Sequence, residues 1–357
     1  MSYKLNPESK EYSSVKSLSF EKNRSMDKAI EIYEQRIEDA QLIYQEYSKC
    51  FVERNCPFCS SESKAGQDDF HQTYKVVRCK TCNSLYVSPA PTADALDDYY
   101  KNCRCNRILA ELVRSRSKKF NVDDRVKTVA KIIAKSEKQE LKILEVGCSS
   151  GLFLQGLKDF LQTNFPSIKI DVQGIDLDED AVKNSVDPSL DLLCCSAEDL
   201  SKSLSDVGIY DLILNYELIE HLFDPYDFMA TVKELLKPGG YVVFTTPNSL
   251  GAENLASGYN TRRLIAHAIF PPMHLNAFST QNIPLFCYRL GFELEEITTP
   301  GKLDIDMIGK NREFLTNERF IDVAEIKDEA LKSVLQNYTV ACMASSHMQC
   351  AFRKPGF

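Results

Sequence analysis

Ile143-Leu144-Glu145-Val146-Gly147-Cys148-Ser149-Ser150-Gly151 runs from apolar residues into a turn of small ones. Ile143, Leu144 and Val146 read as a buried strand. Gly147, Ser149, Ser150 and Gly151 form a turn with little or no side chain, so a ligand can approach the backbone closely. Leu152, Phe153, Leu154 and Leu157 then begin the apolar stripe of a helix, whose free N–H groups point over the turn. A dinucleotide fingerprint starting at Gly147 would need glycine at positions now held by Ser149 and Leu152. The spacing present instead is E-x-G-x-x-x-G, at Glu145, Gly147 and Gly151.

Downstream, strands and helices alternate. Strands are expected at Lys142–Val146, Ile168–Asp176, Leu190–Cys195, Tyr210–Tyr216 and Tyr241–Thr246. A helix is expected around Asp180–Asn184, and a long one from about Ile219 to Leu236, stopped by Lys237-Pro238-Gly239-Gly240. Such alternation means a parallel sheet with helices on both faces. Asn282–Leu290 reads as a helix closed by Gly291, Phe292–Thr298 as a strand, and Ser346–Lys354 as a closing strand. Residues 300–345, helical in character, fall between these last two strands as a lid, an interface or a pocket wall.

Upstream, Cys56-Pro57-Phe58-Cys59 and Cys79-Lys80-Thr81-Cys82 are separated by nineteen residues. Two C-x₂-C knuckles at this distance read as a Zn²⁺ site closed by four thiolates. Tyr74–Arg78 and Ser84–Val87 alternate as hairpin strands, completing a zinc ribbon. His71, Cys103 and Cys105 are spare ligands. Before the ribbon, residues 1–24 are polar and serine-rich, and a helix follows from about Ser25 to Tyr47. Its face of Ile30, Tyr33, Ile37, Ala40, Tyr44 and Tyr47 packs on the rest of the chain, with a homodimer through that face as the alternative. After the ribbon, Lys101, Arg104, Arg107, Arg114, Arg116, Lys118 and Lys119 crowd one segment opposed only by Glu111. This is either a solvated face or a site for an anionic acceptor such as a diphosphate. The division is therefore 1–50 tail and helix, 51–92 ribbon, 93–122 basic helical linker and 123–357 the α/β domain.

Composition bounds the function. The 357 residues carry a net charge of −8, which argues against a general polyanion binder. No apolar run approaches the ~20 residues that span a bilayer, and the start lacks the apolar core of a signal peptide. Cytoplasmic residence is the expectation, and in a reducing compartment the thirteen cysteines suit metal or burial rather than disulfides.

The E-x-G-x-x-x-G turn resembles motif I of the class I S-adenosylmethionine-dependent methyltransferases, although that family usually has Gly where Ser149 stands. Asn215-Tyr216-Glu217-Leu218-Ile219-Glu220-His221-Leu222-Phe223-Asp224-Pro225 is similar to the E-H-x-x-D-P signature of small-molecule members related to the ubiquinone pathway. Thr245-Thr246-Pro247-Asn248 and His274-Leu275-Asn276-Ala277-Phe278-Ser279 fit the same group, so the resemblance covers about residues 140–300. It implies a seven-stranded, doubly wound, mostly parallel Rossmann-like sheet with an antiparallel last strand. It also implies S-adenosylmethionine at Glu145, Gly147, Ser149, Gly151, Asp176, Leu177, Ser196, Ala197, Glu198 and Asn215. Glu145 meets the methionine end and Asp176 the ribose hydroxyls, while Asp178 reads as a helix cap. Ser196 stands where the family usually has an adenine-contacting Asp.

The implied reaction displaces sulfur from a methyl carbon, so alignment of the acceptor dominates. A hydroxyl acceptor also needs a base, for which His221 and His274 are the candidates, with Tyr216 lining the acceptor site. Together with the ribbon, the pattern resembles bacterial methyltransferases of polysaccharide and secondary biosynthesis, some acting on nucleotide-linked sugars. An RNA methyltransferase that grips nucleic acid with its ribbon is one alternative, and a non-catalytic scaffold with a degenerate cofactor site is another.

Overall fold

A computed structural model describes residues 26–105, 108, 122–204, 206, 208–259 and 268–356. The expected polar start at 1–24, and Arg107, Glu111, Arg114, Arg116, Lys118 and Lys119 of the basic run, lie outside the described residues.

Three antiparallel strands form the ribbon: β1 (Lys64–Phe70), β2 (Tyr74–Cys79) and β3 (Leu85–Val87), in the order β1-β2-β3. The first of them was not expected from the sequence. Seven strands form the main sheet: β4 (Glu140–Val146), β5 (Lys169–Asp176), β6 (Asp191–Cys194), β7 (Tyr210–Tyr216), β8 (Leu236–Pro247), β9 (Glu293–Thr298) and β10 (His347–Arg353). Their order is β6-β5-β4-β7-β8-β10-β9. β4 pairs parallel with β5 and β7, β5 with β6, and β7 with β8, while β10 runs antiparallel between β8 and β9. Strand order therefore switches beside β4, and sheets of this kind take their ligand at that switch, outside the carboxyl ends of the strands.

The single long helix expected over 219–236 is two pieces. A short 3₁₀ turn at Ile219–His221 is followed by a helix at Pro225–Leu235. Asp224 starts the second piece, its carboxylate accepting from the N–H groups of Tyr226 (2.9 Å) and Asp227 (3.0 Å), with Pro225 in the first turn. β8 also begins at Leu236, five residues before the expected Tyr241, with Gly239 at φ 75° allowing the bend.

The ribbon shares its core with the sheet. Cys56, Phe58, Val77, Cys79 and Tyr86 pack in one cluster with Leu144, Phe244, Phe278 and Phe286. The Phe58 and Phe278 rings meet edge-on at 4.9 Å. Arg54 ties the two regions together, donating to the carbonyls of Val87 (2.8 Å), Phe223 (2.6 Å) and Leu275 (2.8 Å). The helix Met26–Tyr47 buries Tyr33, Ala40 and Ile43 against Tyr74, Tyr99 and Phe270, so its apolar face is used within the chain. The residues between β9 and β10 form helices at Asp304–Lys310, Ile321–Ala324 and Glu329–Ala341. Buried Asp304 fastens them to the start of β10, accepting from the Ser345 hydroxyl (2.6 Å) and the Ser346 N–H (2.6 Å). Among the described residues no helix is long and apolar enough to cross a membrane.

Candidate active site and four-cysteine cluster

The turn after β4 is left-handed three times in five residues: Gly147 at φ 79°, Ser149 at 50° and Gly151 at 79°. Ser149 pays a strain that glycine would avoid. The Asp176 carboxylate at the end of β5 stabilises this turn, accepting from the N–H groups of Ser149 (2.7 Å) and Asp178 (2.9 Å). Its oxygens keep further lone pairs. A Cβ on Gly151 would come within 2.7 Å of Leu190 Cδ1. Gly151→Ala is therefore expected to lose roughly 2 kcal/mol of stability, from strain at positive φ plus the clash. Thermal melting checks this, and an unchanged midpoint would mean that the turn can relax.

Glu145 is 4% exposed, and its Oε2 has no hydrogen-bond partner. Burial, with the Asp176 charge adding and Arg125 opposing, pushes its carboxyl up to about 8. Beside it, Asn215 is fully buried with both side-chain polar atoms unpartnered, and the Tyr216 hydroxyl is buried and unpartnered as well. Burial holds the Tyr216 phenol well above its usual value, so it stays protonated. The Tyr216 ring packs edge-on against Phe153 at 4.9 Å, and the Arg125 guanidinium carbon lies 5.1 Å from its centroid and 4.4 Å from that of Phe153. Asp123 holds Arg125 through Nε (2.9 Å) and a terminal nitrogen (2.7 Å). Arg125 is a functional candidate that sequence reading missed, because only the packing of the helix Asp124–Ala134 brings it to the ends of β4 and β7.

This donor set fits S-adenosylmethionine. An unpaired buried carboxylate and a guanidinium suit an ammonium and a carboxylate at the methionine end, and Asp176 suits ribose hydroxyls. Leu177 is 76% exposed next to Asp176, and Glu198 lies in the first turn of the helix Ala197–Ser203. Ala197 is buried, which leaves only its backbone for a ligand. Ser196 is already committed as that helix's N-cap, accepting from the Asp199 N–H (3.0 Å) and donating to the Asp199 carboxylate (2.9 Å). Asp178 caps the helix Glu179–Lys183, as expected.

A second cluster sits after β7. The His221 and His274 rings meet edge-on at 4.6 Å. His221 Nδ1 lies 2.9 Å from the Met273 carbonyl and 3.0 Å from the Tyr100 hydroxyl. A carbonyl can only accept, so Nδ1 carries the proton and Nε2 the lone pair. Burial pushes the His221 pKa down to about 4. Glu220 is fully buried, and burial holds its carboxyl well above the usual range, with Oε2 accepting from the Thr246 hydroxyl (3.0 Å). One ligand atom each from Glu220, His221 and His274 lies within 4.8 Å of the others, a set that a divalent ion could also use. Tyr216 contacts the Arg125 and Phe153 side chains rather than this histidine pair.

Cys56, Cys59, Cys79 and Cys82 converge within the same 4.8 Å limit. Sγ atoms of Cys56 and Cys82 are 3.5 Å apart, as are those of Cys59 and Cys79. Thiolates about 2.3 Å from a tetrahedral zinc sit at nearly this spacing, so the cluster fits the ion. The spare ligands do not join it. His71 lies 3.1 Å from the Tyr33 hydroxyl, and the Cys105 thiol faces the Ile32 carbonyl.

A parallel sheet in this order, with one antiparallel strand and an acidic residue before a left-handed glycine turn, defines a Rossmann-like S-adenosylmethionine-dependent methyltransferase fold. The chain belongs to the methyltransferase domain family, whose model matches residues 113–297, and within it to the class I S-adenosylmethionine-dependent type. It is 34% identical over 113 residues to a ubiquinone biosynthesis O-methyltransferase of Thiobacillus denitrificans, covering 30% of this chain and 44% of that protein. A protein of the same name from Cereibacter sphaeroides is 29% identical over 114 residues, covering 31% and 42%. The chain thus spans less than half the length of these curated relatives. A solved S-adenosylmethionine-dependent methyltransferase from Archaeoglobus fulgidus superposes with a TM-score of 0.43 at 17% identity, over 70% of this chain and 99% of that one.

Proposed function

We propose that this protein moves a methyl group from S-adenosylmethionine to a small or carrier-linked acceptor, a nucleotide-linked sugar or polysaccharide precursor being the favoured class. The observation that carries the reading is Glu145, a buried carboxylate with an unpartnered oxygen beside an open left-handed turn. The cofactor supplies, when bound, a methyl group on a cationic sulfur that leaves readily. Glu145 and Arg125 hold its amino-acid end. Gly147, Ser149 and Gly151 let it approach the backbone, and Asp176 accepts from the ribose. Leu177, Ala197 and Glu198 border the base, Asn215 stands beside Glu145 at the amino-acid end, and Ser196 acts through the helix it caps.

His221, kept neutral at working pH by burial, presents Nε2 as the acceptor of the substrate proton, and His274 fixes its ring plane. Tyr216 walls the cofactor side. The four cysteines hold a structural Zn²⁺ that leaves no open coordination position. The relatives' named acceptor class and the negative total charge support a small molecule over RNA.

The test supplies methyl-labelled S-adenosylmethionine with a pool of nucleotide-linked sugars and, separately, with total RNA. Label in the sugar pool is the expected result. Label confined to RNA overturns the acceptor class, and failure to bind S-adenosylhomocysteine by calorimetry overturns the reading itself.

A further inference from the structure

We infer that Arg36, on the N-terminal helix, receives an oxyanion of the acceptor beside the Glu220–His221–His274 cluster. The inference rests on the methyl-transfer reading and assigns the recognition of charge to a residue outside the methyltransferase fold.

Arg36 Nε is buried and has no hydrogen-bond partner, and among the described residues its guanidinium forms no ion pair. A guanidinium carries five donors and cannot neutralise itself by losing a proton. Leaving such a group partly buried and unpaired is costly unless an acceptor arrives. Asp39, three residues further along the helix, is engaged elsewhere, accepting from Gln35 (3.1 Å) and from the Cys105 N–H (2.8 Å). Glu220 gives Oε2 to the Thr246 hydroxyl, and its Oε1 lies 3.9 Å from His221 Nε2.

The position points to the reacting centre. The Arg36 guanidinium carbon lies 6.0 Å from the Phe270 centroid. Phe270 exchanges backbone hydrogen bonds with His274 at 3.1 and 2.8 Å, and His274 packs on His221. From the same side, Tyr100 reaches the His221 ring. The Arg36 charge is also among the causes that depress the His221 pKa, after burial. An unpaired planar cation on this side of the histidine pair suits phosphate, diphosphate or carboxylate, which the guanidinium fork grips through two parallel hydrogen bonds. An anion seated there would orient the acceptor before methyl transfer.

The experiment titrates sodium pyrophosphate into the full chain saturated with S-adenosylhomocysteine, comparing the unaltered protein with R36Q, R36K and the double variant K118Q/K119Q. Saturable binding is expected in the unaltered protein, weakened about tenfold or more in R36Q and less in R36K, which keeps the charge but loses the fork. S-adenosylhomocysteine affinity, equal across all four proteins, certifies the fold. The same titration with benzoate tells a carboxylate from a phosphate, and binding of either with this Arg36 dependence supports the inference. Pyrophosphate and benzoate bound as tightly by R36Q as by the unaltered protein, a loss that follows K118Q/K119Q instead, or no saturable binding of either anion would each overturn it. If S-adenosylhomocysteine itself fails to bind, the methyl-transfer reading falls, and the inference with it.

Discussion

Glu145→Gln is expected to weaken cofactor binding at least about a hundredfold while making the ligand-free protein more stable at pH 8. The carboxyl sits at about 8 in the fold, against an ordinary value of 4.5, chiefly because burial disfavours its charge. Folding therefore favours the protonated form. Below about pH 4.5 both folded and unfolded chains hold the proton and nothing is lost. Between there and pH 8 the unfolded chain ionises while the folded one does not, so stability falls as pH rises. A shift of this size corresponds to roughly 5 kcal/mol at the upper end, part of which an unpaired glutamine amide would take back. The ammonium of S-adenosylmethionine reverses the penalty by supplying the missing partner, so binding at pH 7 should release a proton and strengthen as pH rises toward 8. Melting curves at pH 5.5 and 8 should show a steeper fall for the unaltered protein than for E145Q. Calorimetry should show S-adenosylhomocysteine bound at least about a hundredfold more weakly by E145Q, as expected when one partner of a buried charge pair is removed. If E145Q binds it normally, the ammonium is held elsewhere and the site assignment fails.

That residue was legible in the sequence because a motif and a strand end coincided at it. The parallel strands β4, β5, β6 and β7 were legible for a related reason: each carries apolar residues at strand spacing, in alternation in β5 and in a short run in the others, and the alternation with helices leaves one topology. β1 was not, because Lys64-Ala65-Gly66-Gln67-Asp68-Asp69-Phe70 has little strand propensity. It is held by pairing with β2 across a register shift between Ala65 and Gln67, with only its last residue buried. The break before Pro225 was hidden because the residues on either side are apolar at helical spacing, whereas the Asp224 cap decides the start. Arg125 and Arg36 were invisible for a different reason. Each is an ordinary arginine on a helix whose own pattern says only that one face is buried. Arg125 takes its meaning from the packing that carries it to Phe153 and Tyr216, and Arg36 from an Nε that the packing leaves without a partner, and no local pattern carries that information. Ser196 is the converse, a residue whose family position suggested a ligand contact and whose local geometry uses it as a cap.

Removing one ligand of the four-cysteine cluster, as in Cys79→Ser, is expected to have the largest effect on stability of any single change. A structural zinc contributes on the order of 10 kcal/mol to the folding of a segment that cannot bury a core alone. Here the loss should not stay local. β3 is wired to the segment after β8 by the Val87 N–H donating to Leu275 (2.9 Å) and the Ala277 N–H donating to Leu85 (3.0 Å). Asn282 adds a buried hydrogen bond to Ser84 (3.0 Å), and Arg54 joins Val87, Leu275 and Phe223. His274 precedes Leu275 directly, so a ribbon that loosens should displace the ring that packs on His221. The ends of β4 and β5, which form the cofactor turn, pair with each other, and β4 with β7; they meet the ribbon only through the shared apolar cluster at Leu144, Val146 and Ile175, not through strand pairing. The expected phenotype is therefore split. C79S should lose its zinc and melt at a markedly lower temperature. Below that temperature it should still bind S-adenosylhomocysteine, yet transfer methyl groups poorly. Metal analysis, melting and calorimetry on one sample read all of these. Unaltered protein without bound metal would remove the ribbon as a zinc site. Equal loss of cofactor binding and transfer would mean that the ribbon supports the whole fold rather than the acceptor side alone.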